Sequence, residues 1–139
     1  MPKFGKRSLL CIDTCHPDLQ QLLHEVIKKV DISVRWGWRG EKDQNGFVAA
    51  GTSRTRWPNS KHNNVDDDGN PESLAFDAYP YPVPPRTAAG LRRHCWVSGY
   101  IKATADRMGI KLRQGIDWDG DGDFSDQRLN DLVHHELLR

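Results

Sequence analysis

The stretch from residue 17 to residue 38 constrains the fold most, because its hydrophobic residues change their period within a few positions. Over residues 17–30 they recur at helical spacing, behind a proline suited to the first turn of a helix. From residue 32 onward apolar and polar residues alternate, which is the pattern of a half-buried strand. The apolar positions of that strand are Ile32, Val34, Trp36 and Trp38. The sequence therefore predicts a domain that contains both helices and strands.

The remaining elements are separated by one long irregular segment. Residues 41–50 predict a short helix, whereas residues 51–85 are rich in Gly, Pro, Asn, Asp and Ser. A loop of that length in a compact domain is usually functional or mobile. A second long helix is predicted over residues 86–108, ended by Gly109. A strand starting at Ile110 and Leu112, an acidic loop over residues 117–126 and a final strand over residues 133–138 complete the prediction.

Composition excludes several classes of protein. A chain of 139 residues has the size of one domain. Its three cysteines form an odd set without a CxxC pair, which argues against a disulfide framework or a zinc ribbon. No apolar run is long enough to cross a bilayer, and the first residues lack the apolar stretch of a signal peptide, so synthesis in the cytoplasm is expected. The net charge of +1 is not that of a nucleic-acid binder with a concentrated basic stripe.

The C-terminal segment places Asp131 three positions before His134. A neutral imidazole can bind a metal, and a nearby carboxylate can move a proton. A catalytic zinc site needs three protein ligands, which His62, Asp77 and His134 can supply. Spacing alone is weak support, because six histidines and nineteen acidic residues allow many such trios, and a solvated polar tail is the alternative interpretation of this segment.

Three ordered motifs resemble those of the M15 zinc peptidases, in particular the bacteriophage L-alanyl-D-glutamate endopeptidases. They are Ser60-Lys61-His62, Ala75-Phe76-Asp77 and Asp131-x-x-His134-x-Glu136-Leu137. The likeness begins at Lys3 and includes Gly115-x-Asp117-Trp118, so it covers nearly the whole chain. It implies an α+β fold with a small antiparallel sheet and flanking helices, of the hedgehog and D-alanyl-D-alanine peptidase type.

The resemblance also implies a set of functional residues. Zinc would be held by His62, Asp77 and His134, and Asp131 would act as general base and then general acid on a zinc-bound water, while Arg39 would stabilise the oxyanion. Gln44 and Ser60 are expected to bind substrate. Two alternatives concern the ligands. One of Asp66, Asp67 and Asp68 could replace Asp77, because the loop between His62 and Asp77 is longer than the family usually has. His135 could replace His134, because the two histidines are adjacent in sequence. The strand-like Leu74-Ala75-Phe76 favours Asp77, and the family's His-x-Glu-Leu pattern favours His134. An H-E-x-x-H helix is excluded because position 139 is Arg139.

The acidic loop resembles the first half of an EF-hand calcium loop. Asp117, Asp119, Asp121 and Asp123 alternate around Gly122, but the twelfth position is Arg128 instead of the chelating glutamate. Asp126 is the candidate that closes a shortened site. Calcium binding is predicted here, with activity depending on it, and a solvated acidic turn is the alternative.

Taken together, these features predict a single catalytic domain over residues 1–139, without a separate wall-binding module, that cleaves the L-alanyl-D-glutamate bond of the peptidoglycan stem peptide. It would act as a monomer, reach the cell wall through a separate lysis pore, and bind neither nucleic acid nor membrane. Arg54, Arg56, Lys61 and Trp57 are expected to help capture the wall. The alternatives are a D-alanyl-D-alanine carboxypeptidase or dipeptidase of the same fold and, from another class, a calcium-binding interaction module.

Overall fold

The computed structural model describes residues 1–126 and 131–139, and in these residues four strands form one antiparallel sheet of order β1-β2-β4-β3. The strands are β1 (Ile32–Trp36), β2 (Ala75–Pro80), β3 (Leu112–Gln114) and β4 (His134–Leu137). The helices are α1 (Lys6–Ile12), α2 (Pro17–Val26), α3 (Glu41–Ala49) and α4 (Ala88–Arg107), with a single 3-10 turn at Lys61–Asn63. The predicted α+β class is confirmed.

The sheet register brings distant motifs together. In the central pair of strands, Asp77 of β2 lies directly opposite His134 of β4. On the other side of β2, Trp36 pairs with Asp77 across a register shift between Val34 and Trp36. Because directly opposed residues of antiparallel strands have close side chains, this register places two candidate ligands on one face.

The hydrophobic core lies between the helices and the other face of the sheet. The apolar stripe of α2 is fully buried and packs against α4. It belongs to one core cluster with residues of α4 and the sheet, which include Leu19, Leu22, Leu23, Val26, Ile101, Ala105, Val34 and Phe76. Phe76 and Asp77 are neighbours in β2 and therefore point to opposite faces of the sheet. The core thus fixes β2 through Phe76 while Asp77 is presented on the other face.

Element boundaries differ from the predicted ones for identifiable reasons. Helix α4 begins at Ala88, because the Thr87 side chain accepts a hydrogen bond from the Gly90 amide and caps the helix. It is followed by Gly109 at φ 73°, as predicted. Strand β1 ends at Trp36, where its pairing with β2 becomes irregular, instead of continuing to Trp38.

Helix α1 was not predicted. It has seven residues and no side-chain cap, and only Ser8 and Ile12 in it are buried, so its sequence carries little amphipathic signal. It packs on β1, where the Ser8 hydroxyl accepts a hydrogen bond from the Val34 amide. Among the described residues, no helix combines the length and the hydropathy that a membrane crossing requires.

Candidate active site

The 3-10 turn at Lys61–Asn63 orients His62. The Ser60 hydroxyl accepts a hydrogen bond from the His62 amide at 3.2 Å, and Asn63 Oδ1 accepts one from the Ser60 amide at 3.0 Å, which forms a capping box. His62 Nδ1 lies 2.7 Å from the Gly37 carbonyl oxygen. Because a carbonyl only accepts, Nδ1 carries the hydrogen and Nε2 keeps a free lone pair. A side chain at position 37 would collide with the Cys11 carbonyl, so only glycine allows this approach.

Three buried side chains converge at one point of the cleft. His62 Nε2 lies 3.3 Å from His134 Nδ1 and 3.4 Å from Asp77 Oδ1, and the third distance, from His134 Nδ1 to Asp77 Oδ1, is 3.6 Å. Asp77 Oδ1 is buried and accepts no hydrogen bond within the described part of the chain. These three ligand atoms are grouped closely enough to hold one metal ion.

Arg39 completes the environment of Asp77. Its Nη2 donates to Asp77 Oδ2 at 2.7 Å, so the two carboxylate oxygens have separate partners. The guanidinium also lies 4.4 Å from the Phe47 ring centre and 5.2 Å from that of Trp36. Burial alone would raise the pKa of Asp77, but His62, His134 and Arg39 together lower it well below its usual range. Asp77 is therefore an anion at neutral pH.

The two histidines differ in their proton affinity. Burial lowers the pKa of His62, and the nearby Asp77 only partly offsets that effect. Burial also disfavours the charged form of His134, but the neighbouring carboxylates of Asp77 and Glu136 outweigh burial and raise its pKa to about 9. A metal ion that binds at His134 Nδ1 must displace this proton.

His135 belongs to the core. Successive residues of β4 point to opposite faces, and His135 stacks on Phe76 with ring centres 4.9 Å apart, while its Nδ1 lies 3.0 Å from the side-chain Nε2 of Gln114. Burial lowers the pKa of His135 to about 3, so the ring is neutral. The structure thus places His134 in the cluster with His62 and Asp77, and His135 outside it.

Asp131 lines the same cleft as the three clustered side chains. Its amide donates to the Gly115 carbonyl at 3.1 Å, and the Gly115 amide donates to the His134 carbonyl at 2.9 Å. Burial, reinforced by the negative charge of Asp77, raises the pKa of Asp131 above its ordinary value. A half-buried carboxylate with raised proton affinity is suited to accept a proton and return it.

The two predicted substrate-binding residues are placed differently. Ser60 lines the cleft, although its hydroxyl also caps the turn that bears His62. Gln44 is fully buried and does not line the cleft: its Nε2 donates to Ser53 Oγ at 3.1 Å and to the Thr55 carbonyl at 2.5 Å. Direct contact between Gln44 and substrate does not fit this burial, and the side chain instead anchors the loop that forms one wall of the cleft.

The extended loop between His62 and Asp77 contributes no ligand to the cluster. Asp66 Oδ1 accepts from the amides of Asp68 and Asn70, both at 2.9 Å, and so closes a tight turn, while Asp67 and Asp68 are exposed. Of the candidates in this region, the structure brings only Asp77 beside the histidines.

The cleft encloses about 490 Å³ and has walls that sequence reasoning partly missed. Of the four residues expected to capture the wall, Arg54 and Lys61 line the cleft, whereas Arg56 and Trp57 do not. Trp57 is partly buried and packs edge-on against Trp38, with ring centres 5.9 Å apart. The lining residues without a predicted role include Tyr79, Arg113, Trp118 and Glu136. A usable signal existed for Glu136, since residues two apart on a strand share a face and His134 was already a candidate.

In the acidic loop, the carboxylates of Asp117, Asp119 and Asp121 lie close enough together to hold a cation. Asp123 is not in that group, and its Oδ1 instead accepts from the Ser125 amide and hydroxyl at 2.8 and 2.6 Å. Asp126 is also outside the group. Arg128, at the position of the missing glutamate, lies outside the described residues.

Comparison with known proteins gives concordant matches. The sequence model of a family described as phage L-alanyl-D-glutamate peptidase matches residues 1–138. The L-alanyl-D-glutamate peptidase of Escherichia phage T5 is 29% identical over 127 residues, which span 90% of this chain and 88% of that protein. The crystal structure of the Serratia marcescens L-Ala D-Glu endopeptidase ChiX shares the fold, with a TM-score of 0.71 and 22% identity over 98% of this chain and 90% of that one. Because the family match covers nearly every residue, this chain belongs to the phage L-alanyl-D-glutamate peptidase family.

Proposed function

We propose that this protein is a zinc-dependent endolysin that cleaves the L-alanyl-D-glutamate bond of the peptidoglycan stem peptide. Membership of the family supports the reaction class. The observation that carries the mechanism is the convergence of His62, Asp77 and His134 in a cleft that also contains Asp131. Residues 1–139 would act as one catalytic domain that captures the wall with its own cleft.

The donor set fits zinc. Two imidazole nitrogens and one carboxylate oxygen are a common set for catalytic zinc, and bonds of about 2.0–2.1 Å at tetrahedral angles place ligand atoms about 3.3 Å apart. The three separations here are 3.3, 3.4 and 3.6 Å, and Asp77 Oδ1 has no competing hydrogen bond among the described residues. When bound, zinc supplies Lewis acidity that makes a water a better nucleophile at neutral pH.

Asp131 performs the proton transfers. Its carboxylate accepts a proton from the attacking water and then delivers that proton to the nitrogen of the departing D-glutamate. Burial and the nearby Asp77 raise its pKa, which supports the first step, because a stronger base accepts a proton more readily. The hydrogen bonds between Gly115 and the Asp131–His134 segment hold the carboxylate in the cleft.

Arg39 offsets negative charge on the scissile carbonyl oxygen. Its guanidinium lines the cleft, is buried, and is fixed between Asp77 and the Phe47 ring. A preorganised cation in a poorly solvated site stabilises developing negative charge without reorganisation. The same contact with Asp77 Oδ2 orients the carboxylate whose other oxygen faces the histidines.

Cations at the cleft wall support an anionic peptide substrate. Arg54 and Lys61 line the cleft near Ser60, and the stem peptide carries free carboxylates close to the scissile bond. We expect these side chains to contribute to capture of the substrate and the buried cluster to contribute to chemistry.

Identification of the new chain ends tests this function. Incubating the zinc-loaded protein with purified peptidoglycan should expose N-terminal D-glutamate, detected by end-group labelling and mass spectrometry. Asp131→Asn is the matched control, since it keeps the size of the side chain and removes the base. Release of D-alanine would instead establish the carboxypeptidase alternative, and absence of new ends would contradict the proposal.

We further propose that the acidic loop binds calcium and that the bound ion raises the rate of hydrolysis. The close approach of Asp117, Asp119 and Asp121 supports a cation there, and their position just before the catalytic segment supports a coupling to activity. With zinc kept saturating, addition of calcium should raise the rate of hydrolysis, and Asp119→Asn should reduce that response. A rate that does not respond to calcium would contradict the coupling. A calcium-binding module without enzymatic activity would bind calcium and leave peptidoglycan intact.

The site of action would be the bacterial cell wall, reached from the host cytoplasm through a separate lysis pore. We expect a monomer, which size-exclusion chromatography with light scattering can check. No nucleic acid is proposed as a partner.

A further inference from the structure

His134 has a second buried partner on the side of its ring opposite to His62 and Asp77. Its Nε2 lies 2.9 Å from Glu136 Oε1, and both side chains are almost fully buried. Glu136 follows two residues later in β4, so both side chains occupy the same face of the sheet. His134 is therefore placed between two carboxylates, with Asp77 beside Nδ1 and Glu136 beside Nε2.

Glu136 is itself held in place by the neighbouring strand. Arg113 of β3 is its partner in the strand register, and Arg113 Nη2 donates to Glu136 Oε2 at 3.0 Å. The Arg113 guanidinium lies 5.5 Å from the Trp118 ring centre, and the Trp118 ring lies 5.3 Å from that of His134. Among the described residues, each carboxylate oxygen of Glu136 thus has one partner. The His134 imidazole is contacted at its edge by Glu136 and on its face by Trp118.

A carboxylate at Nε2 selects the tautomer of His134. An ionised carboxylate only accepts hydrogen bonds, so Nε2 must carry the hydrogen when the ring is neutral, and the Nδ1 lone pair then points to His62 and Asp77. The Gly37 carbonyl does the same at His62 Nδ1. The two histidines therefore use opposite nitrogens toward the cluster, each selected by an acceptor behind the ring.

We propose that Glu136 is a positioning residue that fixes His134 as an Nδ1 ligand and strengthens its bond to the metal. This inference rests on the proposed zinc function. A carboxylate behind a metal-bound imidazole raises its basicity and fixes its orientation, and loss of such partners typically weakens metal binding about 10- to 100-fold. Arg113 supports this role because it compensates the charge of the buried Glu136 from the exposed edge of the cleft.

Zinc affinity, measured by competition with a coloured chelator, tests the proposal independently of catalysis. Glu136→Ala should weaken zinc binding about 10- to 100-fold, and Glu136→Gln, which keeps an accepting oxygen but no charge, should fall between it and the parent. Glu25→Ala is the control, because Glu25 pairs only with Lys28 at the surface in the described contacts and should leave the affinity unchanged. If thermal unfolding shows that Glu136→Ala does not fold, the isosteric Glu136→Gln decides.

A spectroscopic readout separates positioning from general structural support. In the zinc-loaded parent, ¹⁵N spectra of His134 should show a metal-bound Nδ1 and a protonated Nε2 in slow exchange, and Glu136→Ala should lose the protected Nε2 proton. Equal zinc affinity in parent and both Glu136 variants would overturn this inference while leaving the zinc peptidase intact. A parent that binds no zinc would overturn the proposed function and this inference together.

Discussion

Replacing Gly115 with alanine should displace the proposed general base, because the three atoms nearest the added Cβ all belong to Asp131. A Cβ at position 115 would meet the Asp131 carbonyl oxygen and would lie 2.8 Å from the Asp131 Cβ. Ordinary contacts begin at 3.4 Å, so the two segments must separate by about 0.6 Å or more. The obstructing atoms belong to backbone and Cβ, which cannot rotate away as the end of a long side chain can.

A displacement of this size should act mainly on the rate of the chemical step. A misplacement of about 1 Å in a catalytic group can reduce the rate about 100-fold, so we expect kcat to fall between about 10- and 100-fold. KM should change less, since Arg54 and Lys61 line the cleft from a segment distant in sequence from Gly115 and Asp131. Overpacking should also lower the free energy of unfolding by about 1–3 kcal/mol.

The assay is steady-state hydrolysis of a soluble stem-peptide fragment, with urea unfolding of the same samples. Gly99→Ala is the matched control: Gly99 is exposed in the middle of α4, and an added Cβ there meets nothing within 4 Å. This control should keep the parent kcat and gain about 0.5–1 kcal/mol of stability. A Gly115→Ala variant with parental kcat would refute the positioning of Asp131 by Gly115.

Three further predictions concern charge. Because the pKa of Asp131 is raised in the folded chain, ionisation of this carboxyl destabilises the fold as pH rises. In metal-free buffer, Asp131→Asn should therefore unfold at a higher temperature than the parent at about pH 7.5, and this gain should shrink toward about pH 4. An equal gain at both pH values would contradict the raised pKa. Because the pKa of His134 is raised to about 9, zinc binding below that pH should release about one proton. Calorimetry in buffers of different ionisation enthalpy detects this release. No release at about pH 7.5 would argue against His134 as a ligand. Lys61→Ala and Arg54→Ala should each raise KM about two- to tenfold with little change in kcat, and unchanged KM values would exclude a role in substrate capture.

The parts of the site that sequence reasoning anticipated share a local signal. Asp77 follows an apolar strand, and the alternation of β4 separates His134 from His135 once the strand is recognised. Both side chains of the cross-strand pair were therefore candidates before the register was known. The family motifs supplied the third ligand, His62, whose loop has no regular period.

The parts that escaped prediction depend on packing between distant segments. Arg39 and Asp77 are 38 positions apart, and only the fold shows that their side chains form a buried ion pair. Gln44 was expected at the substrate, but in the fold it is buried against residues 53–55. The sequence does not reveal this contact. The role of Glu136 required knowledge of both the strand register and the position of Arg113.

The most direct test of the central claim is the zinc content of two variants whose hydrolysis is measured in parallel. Asp131→Ala should bind one zinc ion per chain, as the parent does, and should lose hydrolysis, because it removes the proton carrier and leaves the cluster. His134→Ala should lose both tight zinc binding and hydrolysis. If Asp131→Ala lost the metal while His134→Ala retained it, the assignment of base and ligand would be contradicted.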